Sequence, residues 1–120
     1  MEDVKRWLPV LLFAALIFTG SSIPGDAIDS KLTIHDKIIH ATEYAVFAFL
    51  LARAFGLRRW WLAIVIGALY GVGDEFHQTF TPHRSGNDLG DMTADLIGSA
   101  LGATAWMLLR RRRVDGTKSG

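Results

Sequence analysis

The feature that most constrains this chain is where its charges are missing. Trp7 to Gly25 carries no Asp, Glu, Lys or Arg. Ile38 to Ala52 is interrupted only by Glu43, and Trp60 to Gly73 and Leu96 to Leu109 again carry none. A bilayer core of about 30 Å asks for roughly 20 helical residues. The first gap meets that length. The last two, at about 21 Å each for a rise of ~1.5 Å per residue, reach it only if Asp74–Gln78 extends the third helix and Asp91–Asp95 begins the fourth. A soluble bundle needs a polar stripe along every helix. Neither Leu8–Phe18 nor Trp60–Leu69 has one. The pattern predicts an all-α, integral-membrane four-helix bundle with short loops. Its parts are a cytoplasmic N-terminus (1–6), a transmembrane domain (7–113) and a flexible cytoplasmic tail (114–120). Lys5-Arg6 before an apolar run also fits a secretory signal, and cleavage would leave three helices in the same orientation.

Composition narrows the chemistry. With no cysteine among 120 residues, disulfide scaffolds, thiolate zinc sites and cysteine nucleophiles are excluded. The net charge of +1 conceals a segregation. With the N-terminus inside, Lys5, Arg6, Arg53, Arg58, Arg59, Arg110–Arg113 and Lys118 all fall on the cytoplasmic side. Only Lys31, Lys37 and Arg84 fall outside. Cytoplasmic loops are enriched in Lys and Arg, so the chain reads N-in and C-in. The Arg110–Arg113 run reads as a stop-transfer anchor on anionic lipid, with no nucleic-acid partner. Trp7, Trp60 and Trp61 sit at inner span ends, as interfacial aromatics do. Gly67-x-x-x-Gly71 and Gly98-x-x-x-Gly102 permit close helix approach, with chance in a glycine-rich chain as the alternative.

At the outer end the polar residues gather. Ser21 and Ser22 close the first helix. The second carries Lys37, His40, Glu43 and Tyr44, of which Lys37, His40 and Tyr44 recur on one face. Asp74, Glu75 and Gln78 share an arc at the end of the third. Asp91 and Asp95 share a face with Gly98 and Gly102 on the fourth. Ionised carboxylates facing lipid cost several kcal/mol each, so these groups must face one another, Lys37, Arg84, a metal or water. Arg84 suits Asp74 or Asp95 as a bidentate partner. Plainer roles exist beside these: Asp36 or Thr33 as a cap of the second helix, Tyr44 as an interfacial aromatic, and His35 and His83 as solvated loop residues.

The blocks Asp36–Leu50, Tyr70–Gln78 and Arg84–Asp88 with Asp91 and Asp95–Gly98, together with Ser21-Ser22, resemble the signatures of the VanZ-like family over about residues 8 to 109. The resemblance implies a small multi-pass protein of the bacterial cytoplasmic membrane, in a family whose namesake contributes to resistance to the glycopeptide teicoplanin. Carried onto this chain, it nominates Lys37, His40, Glu43, Tyr44, Asp74, Glu75, Gln78, Arg84, Asp91 and Asp95. One expectation is an envelope enzyme acting on a phospholipid or lipid-linked cell-wall intermediate by hydrolysis or head-group transfer. There His40, Glu43, Asp74 and Glu75 are the catalytic candidates. Lys37, Tyr44, Gln78, Arg84, Ser21 and Ser22 bind, and Asp74, Asp91 and Asp95 hold a divalent metal. The alternatives are a non-catalytic binder of the same head groups and a salt-bridged structural collar. A pore would need an oligomer, because the inner half of each span offers no polar stepping stone.

Overall fold

A computed structural model of the chain describes residues 2–21, 33–80 and 89–119. They form α1 (Glu2–Ser21), α2 (Thr33–Phe55), α3 (Leu62–Gln78) and α4 (Leu89–Ser119), with no strand among the described residues. The all-α, four-helix architecture is the one the charge pattern predicts. Two helices, over Lys37–Phe55 and Leu89–Gly116, are long and apolar enough to cross a membrane. α3, with 17 residues, spans about 26 Å at a rise of ~1.5 Å per residue.

Contacts between helix ends fix the directions. Trp7 of α1 meets Phe55 of α2 edge-on with ring centroids 5.2 Å apart, and Phe18 of α1 stacks on His77 of α3 at 4.4 Å. Lys37 of α2 reaches Asp91 of α4. α2 and α4 therefore run parallel, and α1 and α3 run opposite to them. The most extensive contact is between α2 and α4, α3 lies against both, and α1 packs mainly on α2.

Small residues allow that closeness. A Cβ on Gly98 or Gly102 would collide with the backbone carbonyls of Ala41 and Ala45, so α4 lies backbone-to-backbone on α2. A Cβ on Gly67 would meet the Ser99 hydroxyl, and one on Gly71 would lie 2.8 Å from Asp95 Oδ2. Both G-x-x-x-G pairs thus sit at helix interfaces. The α2–α3 corner uses a different property of glycine. Gly56, at φ +90°, turns the chain out of α2 while its N–H donates to Ala52 O at 2.8 Å. Residues with a Cβ seldom adopt that backbone.

Pro9 lies inside α1. It has no N–H to give the carbonyl four residues back. That carbonyl belongs to Lys5, and Arg53 Nη1 of α2 donates to it at 3.3 Å. A corner between α1 and α2 is tied by the bond that proline leaves open.

The spans are apolar on the outside, and beside an apolar core that includes Phe47, Ala48, Leu51 and Ala103 the interior holds a polar cluster. Leu11, Leu12, Leu16, Val65, Leu69, Val72, Phe76, Ile97 and Leu101 are exposed, whereas His40, Asp74, Glu75, Gln78, Asp91, Asp95 and Ser99 are buried. Water drives the opposite sorting. The exposed threonines follow the same rule: Thr19, Thr42 and Thr93 each donate to the carbonyl four residues earlier, at 2.7–2.8 Å. A hydroxyl on an apolar face is thereby satisfied by its own helix.

Two expected boundaries move. α2 begins at Thr33, so Asp36 lies within its first turn. α4 continues past the arginine run to Ser119, so the segment after Arg113 is helical as far as it is described. Arginine is a good helix former, and nothing before Gly116 interrupts the run.

Candidate functional site

The site stands at the end of the bundle where α2 and α4 begin and α3 ends. Helical spacing puts its side chains there. On α4, Asp91, Asp95 and Ser99 follow at steps of four, so they form one inward row. On α2, Lys37, His40 and Tyr44 form the facing row. On α3, Asp74, Glu75 and Gln78 continue the inward stripe that Gly67 and Gly71 begin. The glycines matter electrostatically: by removing bulk they let carboxylates of α3 and α4 meet the imidazole of α2 in one small volume.

His40 is the centre. Its Nδ1 lies 3.1 Å from Asp95 Oδ1, and its Nε2 faces Asp91 Oδ2 at 3.8 Å. Both ring nitrogens are thus flanked by carboxylates from successive turns of α4. The outer carboxylate is held in turn by Lys37, whose Nζ donates to Asp91 Oδ1 at 2.5 Å. The Lys37 side chain keeps about a third of its surface exposed (32%), against 6% for His40 and 1% for Asp95. Polarity therefore runs inward, from an ammonium at the rim through Asp91 to a buried imidazole and a buried carboxylate. His40, Glu75 and Asp95 offer ligand atoms that all lie within 4.8 Å of one another.

Around this core, Tyr44 is completely buried and packs beside Phe47 and Tyr70, with ring centroids 6.2 and 6.3 Å away. Tyr70 donates its hydroxyl to Ala14 O of α1 at 2.6 Å, tying α3 to α1 below the site. Among the described residues, Tyr44 Oη, Gln78 Nε2, Asp95 Oδ2 and Ser99 Oγ are buried without a hydrogen-bond partner. Buried polar atoms usually have partners, so this cluster has hydrogen-bonding capacity left over.

The candidates read from the sequence distribute as follows. Lys37, His40, Tyr44, Asp74, Glu75, Gln78, Asp91 and Asp95 are brought to one end of the bundle, all of them buried except Lys37, which is part-exposed. Glu43, also half-buried, is on the same helix, beside that row. Ser22 and Arg84, with the side chain of Ser21, lie outside the described residues, and so does the proposed pairing of Arg84 with Asp74 or Asp95. The metal grouping differs from the expected Asp74, Asp91 and Asp95. Asp95 is grouped instead with His40 and Glu75, while Asp91 is engaged by Lys37. The reason is reach: the lysine on the facing helix arrives at Asp91 first, and the imidazole lies one turn deeper. Lys37, named from the sequence as a binding residue, is engaged with a carboxylate here. Ser99 is a fully buried polar residue that the sequence reading missed. The signal was available, since Ser99 lies four residues beyond Asp95 on the same face.

At the opposite end, Lys5, Arg6, Arg53, Arg110 and Arg113 line a cleft of about 830 Å³ with Trp106 among its walls. The two ends of the molecule are thus opposite in charge, the acidic one buried and the basic one open.

Residues 6–110 match the model of a family described as VanZ/LLP1. No curated protein and no solved structure matches the chain.

Proposed function

The chain belongs to the VanZ/LLP1 family, and from that premise we propose that it is a multi-pass protein of the bacterial cytoplasmic membrane, N-in and C-in, whose buried acidic hollow near the outer leaflet binds and acts on the head group of a phospholipid or a lipid-linked cell-wall intermediate. The observation that carries this reading is the placement of His40 between Asp91 and Asp95, with Glu75 alongside, inside an otherwise apolar shell. Ionisable groups at membrane depth are costly and stay where they do work. A histidine whose tautomer is set by flanking carboxylates is suited to proton transfer. In this reading His40 is the general base, Asp95 orients it, and Tyr44 and Gln78 supply donors to the head group. The family's association with teicoplanin resistance follows through altered envelope lipid or precursor composition.

The test is purification in mild detergent, identification of co-purifying lipids by native mass spectrometry, and a turnover assay for phosphate or head-group release on a panel of those lipids. The expected result is retention of one lipid class and its turnover, with turnover lost in His40→Ala while retention persists. Neither selective retention nor turnover across the panel would overturn the reading.

A second reading, a structural collar, is favoured by one observation: Lys37–Asp91 and His40–Asp95 already bind α2 to α4. Here Asp95→Asn would lower stability and expression together, with no selective lipid retained by the wild type.

A further inference from the structure

We propose that His40, Glu75 and Asp95 are the protein ligands of a single first-row divalent cation of the Zn²⁺ or Mn²⁺ class. The proposal rests on the reading of this hollow as the working site, names what it holds, and gives His40 a ligand's role in place of the general base's. Three observations converge. First, one ligand comes from each of α2, α3 and α4, all three are buried, and their donor atoms lie within 4.8 Å of one another. Small side-chain rotations close such a set on one ion. Second, His40 Nδ1 and Asp95 Oδ1, in hydrogen-bond contact at 3.1 Å, already stand at a spacing that two donors on one ion keep. Bonds of about 2.1 Å at tetrahedral or octahedral angles put neighbouring donors roughly 3.0–3.4 Å apart. Third, Asp95 Oδ2 is buried and has no hydrogen-bond partner among the described residues. A fully buried carboxylate oxygen without a donor is stabilised by a cation.

The surroundings complete a metal-binding arrangement. Metal-bound imidazoles usually turn their second nitrogen to a carboxylate, which fixes the ring. With Nδ1 on the ion, Nε2 of His40 faces Asp91 Oδ2 at 3.8 Å, and Asp91 is itself held by Lys37. The sequence of contacts is lysine, aspartate, histidine, cation. One nitrogen and carboxylate oxygens suit a borderline first-row ion better than Ca²⁺, which takes six to eight oxygens. Three protein ligands leave coordination positions open, so an anionic group of the ligand can complete the sphere. That also reconciles an acidic hollow with a phosphate-bearing head group: the cation, and not Lys37, attracts the phosphate.

The experiment uses the full chain in detergent, freed of any affinity tag and stripped with a chelator. Zn²⁺ and, separately, Mn²⁺ are added alone, with no lipid. Bound metal is counted by elemental mass spectrometry after gel filtration, and the melting temperature is followed. One ion per chain and a raised Tm are expected. Glu75→Gln and Asp95→Asn weaken binding at least about a hundredfold, and Asp91→Asn weakens it about tenfold to a hundredfold as an outer-sphere partner. Asp115→Asn, at the far end of α4, leaves binding unchanged. Should the site variants fail to fold, spin-echo spectroscopy of the Cu²⁺-loaded wild type reads the ligands directly, and modulation from one bound imidazole is expected. Absence of stoichiometric metal in the folded wild type, unaltered affinity in a folded Asp95→Asn protein, or no imidazole signal would each overturn the proposal. The lipid assay separates the two readings: selective lipid retention without metal removes the cation and leaves the head-group reading standing, and metal without lipid selectivity does the reverse.

Discussion

Lys37 shows how one side chain changes meaning between sequence and structure. Read along the helix it is one of few outward cations and a natural phosphate ligand. In the fold its ammonium is on Asp91, which is buried and faces His40. The sequence made the neighbourhood legible, because spacing places Lys37, His40 and Tyr44 on one face and Asp91 and Asp95 on another. It did not make the pairing legible, since which carboxylate a long flexible side chain reaches depends on the axial offset of two helices. The pairing is measurable. The side chain is about a third exposed, so the pair is worth less than a fully buried one, on the order of 1 kcal/mol. In a double-mutant cycle of Lys37→Met and Asp91→Asn, followed by thermal unfolding in detergent, the double variant is expected to be more stable than the sum of the single losses predicts. Strict additivity would mean that Lys37 and Asp91 do not interact.

At the scale of elements, the glycines set the geometry of the site. The G-x-x-x-G spacing was visible, but not the partner of each face. Gly98 and Gly102 fit against the α2 backbone, and Gly67 and Gly71 fit against Ser99 and Asp95. A sequence states which residues share a stripe, and the partner follows only from packing all the stripes at once. Replacement of Gly102 by Val drives a branched side chain into the Ala45 carbonyl, which is backbone and cannot rotate away. The expected loss is at least about 2 kcal/mol, with separation of α2 from α4 and dispersal of His40 from Asp95. Gly73, on the same stretch of helix as Gly71 but with nothing within 4 Å of a built Cβ, is the control. Gly73→Ala is expected to be neutral or to raise stability by up to ~1 kcal/mol through helix propensity. Paired melting curves decide the matter, and an equal loss at both positions would remove the close-approach argument. Pro9 belongs at this scale too. Pro9→Ala supplies the N–H that Lys5 O lacks, so Arg53 must share its acceptor with the helix. The exposed bond at 3.3 Å is weak, and helical propensity outweighs it, so Pro9→Ala is expected to raise Tm while loosening α1 from α2. Faster hydrogen exchange at the start of α1 would report that loosening, and a lowered Tm would show that the Arg53 bond outweighs helical propensity.

For the whole molecule, the decisive property is that many leucines, valines and phenylalanines face outward while carboxylates are buried at one end of an apolar core. The sequence announced this through its charge-free gaps, because a helix with no polar stripe has no side to show to water. It could not announce the length of α4, whose charged end stays helical through Ser119. Orientation follows from the same asymmetry. In the orientation proposed above, the basic cleft formed by Lys5, Arg6, Arg53, Arg110 and Arg113 faces the cytoplasm, where anionic lipid and the membrane potential retain positive charge. The cluster around His40 is then the end expected toward the outer leaflet. The absence of cysteine makes this testable without background. Single replacements Arg59→Cys and Lys118→Cys are expected to react with a membrane-impermeant maleimide only after spheroplasts are permeabilised, and Asp29→Cys to react in intact ones. Labelling of Arg59→Cys in intact spheroplasts would turn the molecule over, placing the acidic site on the cytoplasmic face, where lipid-linked precursors are assembled instead of consumed.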